Sequence, residues 1–525
     1  MQRCLALSSV VGWLLLAATP FALADDVHAT DPAKVDRKAE VTADAKADVK
    51  PEQSITQHRI TMRSGVIDYT ATAGTLILRD DDDKPIASMS YVAYVKNGVK
   101  DPGTRPVMFA FNGGPGSSSM WLHMGGLGPR RVVTTDAGPT PPAPYQVVDN
   151  QHGVLDRTDI VFIDPVGTGL SRAAGEKKDE DFWGVDPDID SVARFIAQYV
   201  SDTGRWNSPK YLLGESYGTT RGTAIVNLLQ QRRSMLFNGL ILVSVATDIG
   251  ALDDNDSDRP FPLFLPTLAA TSWYHGVTSV AKDGTKRELR PWLDAVRLFA
   301  AGPYTTALLA GAALPAAQRD AIAQQLSEYT GLSVEYLLAA NLRVTDAMYE
   351  QELLRSSGRT VGRIDSRFVG MTRDLLSREA EYDTQASAIS GAFTAAFLDY
   401  YQRDLKFGQG KTYRITNYAV GDKWKWEHKA PGGYTQQMVN SSPDLGSALV
   451  FNPSLQVLVL NGYLDLATPF FGAEWMLTHL AAPAAVQQRI HMKYYEAGHM
   501  MYLHPASLEL WKADLDAFFA ATRLH

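Results

Sequence analysis

Gly214-Glu215-Ser216-Tyr217-Gly218, preceded by the apolar run Tyr211-Leu212-Leu213, is the stretch on which the fold turns. A Gly-x-Ser-x-Gly pattern between a strand and a helix is a nucleophile elbow, a strained turn that lifts a serine hydroxyl to where a histidine and a substrate both reach it. The small flanking residues are needed because the turn brings strand and helix backbones too close for larger side chains. A pentapeptide in a glycine-rich chain can arise by chance, so the flanking sequence has to decide.

Outward from the elbow, short apolar runs alternate with segments of helical spacing. Val107 to Phe111, Ile160 to Ile163, Leu240 to Val245, Leu455 to Leu460 and Ile490 to Tyr495 read as buried strands. Ile189 to Val200, Thr219 to Leu229, Ala473 to Leu480 and Leu508 to Phe519 read as helices. Strand and helix in alternation predict a mostly parallel sheet covered on both faces. Before it, Arg59 to Met62, Gly74 to Leu78 and Met89 to Val95 predict short antiparallel strands. Between residues 248 and 453 the alternation stops, and amphipathic stretches such as Leu289 to Ala301, Pro315 to Leu326, Val334 to Leu342 and Ala386 to Tyr401 predict helices. An insertion placed between two sheet strands is expected to cap the active site. The catalytic domain is thereby split into residues 55–247 and 454–525.

The N-terminus reads differently. Arg3, an apolar stretch from Leu5 to Ala18, Pro20 and Ala22-Leu23-Ala24 have the layout of a secretory leader over residues 1–24, too short for a stable membrane span. Residues 25–54 lack aromatic and large aliphatic side chains and read as a flexible linker. Cys4, the only cysteine, falls in the leader, so an exported mature chain carries no disulfide, which fits a bacterial periplasm. A net charge of −8 with no basic patch argues against nucleic acid as a partner. Asp80 to Asp83 lack the spacing of a cation loop, and Gly167-Thr168-Gly169 lacks the third glycine of a dinucleotide fingerprint, so neither metal nor cofactor is expected.

A serine nucleophile needs a histidine base and a carboxylate to orient it. Asp465 follows the strand Leu455 to Leu460, and His499 follows the strand Ile490 to Tyr495; both stand just past strand carboxyl ends, where such sheets place catalytic loops. The order Ser216, Asp465, His499 is that of the α/β-hydrolase fold. His504 is a rival base that reads better as the start of the next helix. The oxyanion hole needs the amide after the nucleophile, Tyr217, and one from a glycine loop after an earlier strand; Gly114 in Asn112-Gly113-Gly114-Pro115-Gly116 is the candidate.

Asn112 to Ser119, Gly126 to Pro129, Asp164 to Ser171 and Gly214 to Gly218, in this order, resemble the serine carboxypeptidase family. The resemblance implies an α/β-hydrolase that cuts C-terminal residues from peptides with a free C-terminus, its pocket shaped by the helical insertion. It also implies that the substrate carboxylate is held by Asn112, Gly113 and two glutamates sharing a proton. Glu215 matches one of these; the other position is Gly126. Ala110 and Ser117 likewise stand where the family has tryptophan and cysteine. An isolated Glu215 repels a carboxylate whenever it ionises, so Arg130, Arg131 or Arg221 is a candidate partner, and esterase or acyltransferase action is the alternative.

Overall fold

The structure, a computed structural model, describes residues 50–253, 256–281 and 283–522. The leader at 1–24 lies outside the described residues, as does the linker up to 49; its last two residues, Gln53 and Ser54, already belong to the first strand.

Three long antiparallel strands open the domain: β1 (Gln53–Met62), β2 (Gly65–Arg79) and β3 (Pro85–Lys96). They extend well beyond the apolar stretches that announce them. Alternate residues of β1 are exposed and, Ile55 apart, polar, so backbone pairing rather than apolar content carries it. Six further strands make up the main path of the sheet, β4 (Val107–Phe111), β5 (Asp159–Ile163), β6 (Lys210–Glu215), β7 (Gly239–Val243), β8 (Gln456–Gly462) and β9 (Ile490–Tyr495), and the short strand Arg172–Ala173 pairs with β3 beside it. Their spatial order is β1-β2-β3-β5-β4-β6-β7-β8-β9. Pairing is antiparallel as far as β3 with β5 and parallel from there on. The elbow strand β6 lies near the centre, between β4 and β7, and the loops that leave β4, β6, β8 and β9 emerge along one edge.

The central strands are apolar on both faces because both are covered. Phe109, Leu212, Leu240 and Val457 pack against α1 (Val185–Asp202) and α2 (Tyr217–Arg233). Met108, Leu213, Ile241 and Leu458 face the opposite layer, which includes the C-terminal helix (Pro505–Thr522). Each such fully buried aliphatic side chain contributes about 1.5–3 kcal/mol.

Between β7 and β8 the chain forms α3 (Pro260–Tyr274), α4 (Leu289–Phe299), α5 (Ala316–Thr330), α6 (Thr384–Arg403) and α7 (Ser442–Phe451), with shorter turns between. α3, α4 and α5 share an apolar core with Leu464, Leu466 and Phe470, residues of the segment that follows β8. The insertion therefore packs directly on one of the catalytic loops. Two short strands within it, Arg359–Val361 and Val369–Met371, pair antiparallel, and the loop 362–368 that joins them reaches the end of the sheet.

At the opposite edge a buried ion cluster ties β4 to β5. Asp159 accepts from Arg105 Nε at 2.6 Å and from Arg205 Nη1 at 2.8 Å, and all three side chains are nearly inaccessible. Removing the carboxylate leaves two buried guanidinium groups uncompensated. Asp159→Ala is expected to cost about 3–5 kcal/mol of stability, read as a fall in the denaturation midpoint; an unchanged midpoint would show the cluster to be solvated.

Candidate active site

The serine sits on a turn that only crowded glycine backbones allow. Ser216 has φ 61° and ψ −131°, a conformation worth about 1–3 kcal/mol of strain in a non-glycine residue. Its N–H donates to the Val243 carbonyl of β7 at 2.9 Å, which pins the turn to the sheet. A side chain at Gly214 would run into the Gly218 carbonyl. A β-carbon on Gly113 would lie 2.5 Å from the Tyr217 nitrogen, so the loop after β4 presses against the start of α2. Gly114, at φ +112°, and Tyr217, the first residue of α2, both line a cavity of about 340 Å³ together with Ser216 and His499. A first-turn amide has no acceptor within its own helix, so the Tyr217 N–H is available to a ligand.

Asp465 and His499 come from the loops after β8 and β9. His499 Nδ1 lies 2.8 Å from Asp465 Oδ2, and Asp465 is wholly buried. Its carboxylate also accepts from the amides of Ala467 at 2.9 Å and Thr468 at 3.0 Å and from the Thr468 hydroxyl at 2.6 Å. Burial by itself would lower the His499 pKa; the charge and hydrogen bond of Asp465, with Glu215 behind them, override it and raise the pKa above the usual value.

The insertion holds both loops. His499 N–H donates to the Ile364 carbonyl at 2.8 Å, Leu466 N–H to the Arg363 carbonyl at 3.0 Å, and Ser366 N–H to the Leu464 carbonyl at 3.0 Å. Gly498 lies flush on Asp365, leaving no room for a side chain. Loop 362–368 is thus wedged between the acid loop and the base loop. Nothing local in the sequence announces it.

Glu215 is buried beside the serine and is not alone. Asn112 Nδ2 donates to one carboxyl oxygen at 2.7 Å, and the Tyr502 hydroxyl to the other at 2.7 Å. Burial pushes the Glu215 pKa up to about 7, against the pull of the His499 charge and of the bonds from Tyr502 and Asn112. The Tyr502 ring occupies the space over Gly126, where a β-carbon would sit 3.0 Å from the ring. A glutamate is therefore absent at 126 in favour of a phenol that arrives from the other end of the chain. The signal for it was its place three residues after His499.

None of the arginines singled out from the sequence lines the cavity. Arg130 pairs with Asp149, and Arg131 carries its guanidinium elsewhere in the β-hairpin that follows the glycine loop. Arg221 is buried against Asp188 at 2.6 Å and donates to the Asn112 carbonyl at 2.8 Å, so it braces the glycine loop from behind. The arginine that does line the cavity is Arg363. His504 bonds Ser507 at 2.8 Å, at the start of the C-terminal helix, away from the cavity. In the Asp164 block, the carboxylate accepts from the Ser119 amide at 3.0 Å and the Ser90 and Tyr413 hydroxyls, each at 2.9 Å, which makes this segment a support for the glycine loop. No group of side chains suited to a metal ion occurs among the described residues.

A family model described as serine carboxypeptidase matches residues 79–279. No curated protein matches the sequence. Among solved structures, the prohormone-processing carboxypeptidase Kex1 from Saccharomyces cerevisiae is similar at 15% identity and a TM-score of 0.52, over 86% of this chain and 91% of that one. Proline iminopeptidase from Mycobacterium smegmatis matches at 15% identity and a TM-score of 0.36, over 86% of this chain and 98% of that one. The first likeness places the chain in the α/β-hydrolase fold.

Because the Tyr502 bond pulls the Glu215 pKa down, Tyr502→Phe is expected to move it above about 7. A pH titration of the side-chain carboxyl by ¹³C NMR reads this; an unshifted titration would mean that the phenol does not reach Glu215.

Proposed function

We propose that the chain, of which residues 79–279 match a serine carboxypeptidase family model, releases C-terminal residues from peptides, with Ser216 as nucleophile, His499 as base and Asp465 orienting the base. The observation that carries the reading is the Glu215 carboxyl, buried in the catalytic cavity between Asn112 and Tyr502, where burial pushes its pKa up to about 7. A carboxyl that keeps its proton at neutral pH donates a hydrogen bond to a second carboxylate, whereas an ionised one repels it. Such a group suits a substrate that ends in a free acid.

The proposed steps use the groups that line the cavity. His499 Nε2 takes the Ser216 hydroxyl proton as Oγ attacks the scissile carbonyl, while Asp465 holds Nδ1 and favours the imidazolium that forms. The developing oxyanion is taken up by the Gly114 and Tyr217 amides. His499 then passes its proton to the departing amine, and water releases the acyl group from Ser216 by the same route reversed. Asn112, Gly113 and protonated Glu215 hold the departing residue's carboxylate. Arg221 supports this set through the Asn112 carbonyl rather than by touching substrate. The leader at 1–24 would deliver the enzyme to a bacterial periplasm.

Matched peptides that differ only in a free or amidated C-terminus test the reading. The free acid is expected to be cleaved roughly ten- to a hundred-fold faster in kcat/KM, the worth of a hydrogen bond to a charged group. Equal turnover, or turnover of esters alone, would instead favour esterase or acyltransferase action by the same residues.

The pH profile supplies a second test. Activity rises as His499 loses its proton, at a pH above the ordinary imidazole value, and for free-acid peptides it falls again as Glu215 ionises near 7. A narrow bell is expected for free acids, against a rising curve alone for esters. Glu215→Gln, which donates at any pH, should remove the falling limb; persistence of that limb would assign it to another group.

A further inference from the structure

Arg363 is the one lysine or arginine among the described residues that line the catalytic cavity. Its backbone is fixed at the catalytic loops: its carbonyl accepts from Leu466 at 3.0 Å, and the next carbonyl accepts from His499 at 2.8 Å. Its charge bears on both His499 and Asp465. The guanidinium is only partly used, since Nε donates to Asp346 at 3.1 Å and neither terminal nitrogen has a partner among the described residues. The side chain is 45% exposed although it stands inside a cavity wall. Behind it, Glu350 is deeply buried, its pKa pushed well up by burial, while Asp346, Asp383 and Asp465 act on the arginine's charge. Gln385 lines the same cavity with both ends of its amide buried and unpartnered. The cavity thus presents a solvated cation with two free donor nitrogens and, beside it, a buried amide whose lack of a partner costs free energy until a ligand meets it.

The residue that leaves must lie against His499, which protonates its amine, and loop 362–368 carries Arg363 to that place. Asn112, Gly113 and Glu215 are occupied with the terminal carboxylate in the proposed function. We propose that Arg363, with Gln385 beside it, forms a subsite for a carboxylate side chain on the departing residue, so that the enzyme prefers peptides ending in aspartate or glutamate. This rests on the carboxypeptidase reading.

N-blocked dipeptides that share a penultimate residue and end in glutamate, glutamine or lysine test it through ratios of kcat/KM. The wild-type enzyme is expected to favour glutamate over glutamine by about tenfold, the scale of one charge-assisted hydrogen bond, with lysine the poorest. In Arg363→Gln that ratio should collapse to near one, in Arg363→Glu lysine should overtake glutamate, and Arg363→Lys should retain a preference for glutamate over lysine. A wild-type ratio near one overturns the proposal. So does an Arg363→Gln variant that loses activity on both substrates alike, because Arg363 would then act on the loop or on the terminal carboxylate. Should the neutral variant not fold, the wild-type ratio and the lysine variant decide. Release of no terminal residue from any peptide, with Ser216 still labelled by a fluorophosphonate, would sink the carboxypeptidase reading itself and this subsite with it; release without glutamate preference would sink only the subsite.

Discussion

Three backbones meet at the elbow with no space between them, and the rest of the site depends on that contact. Strand β6, the first turn of α2 and the glycine loop after β4 approach so closely that Gly113 and Gly214 have no room for a side chain. This crowding holds Ser216 at a positive φ, because relaxing the turn would break its bond to β7 and separate the loop from the helix. It also sets Gly114 and the free Tyr217 amide on one cavity, and it pushes Glu215, one residue before the serine, inward between Asn112 and Tyr502. Nucleophile, amide donors and buried carboxyl are consequences of one close approach.

The insertion is more than a cover. Loop 362–368 bonds to the loop carrying Asp465 and to the loop carrying His499, and the helical core of the insertion includes the residues on either side of Asp465. Position of acid and base is therefore coupled to how the insertion packs. The same loop introduces Arg363 into the cavity. One element thereby bonds to the loops carrying Asp465 and His499 and brings an arginine to the cavity wall.

Burial governs the electrostatics of the site. Asp465 is satisfied by four hydrogen bonds, from His499, the Thr468 hydroxyl and two amides. Glu215 has two donors and little else, so burial dominates and its proton is retained to about 7. The two buried carboxyl groups thus differ in their surroundings: Asp465 is bound to the histidine and to its own loop, Glu215 to Asn112 and Tyr502 at the cavity wall.

Much of this was written locally. The elbow pattern, the apolar runs of the central strands and the catalytic residues after strand ends are short-range features, set by backbone sterics and by the period of burial, and a single sequence carries them. Strands β1 and β2 were legible only in part, because half of their residues are polar and face solvent. Tyr502 lies 287 residues from Glu215, and Arg363 reaches the cavity from the middle of an insertion without a motif. Reading Glu215 as isolated followed from Gly126 alone; the phenol that fills that space is visible only once the C-terminal segment has folded back over the glycines. The sequence by itself determined the fold class, because the periods of strand and helix and the tight elbow turn depend on neighbours in the chain. Tertiary structure decided which donors surround Glu215 and which cation enters the cavity, because burial and Coulomb interactions act through space.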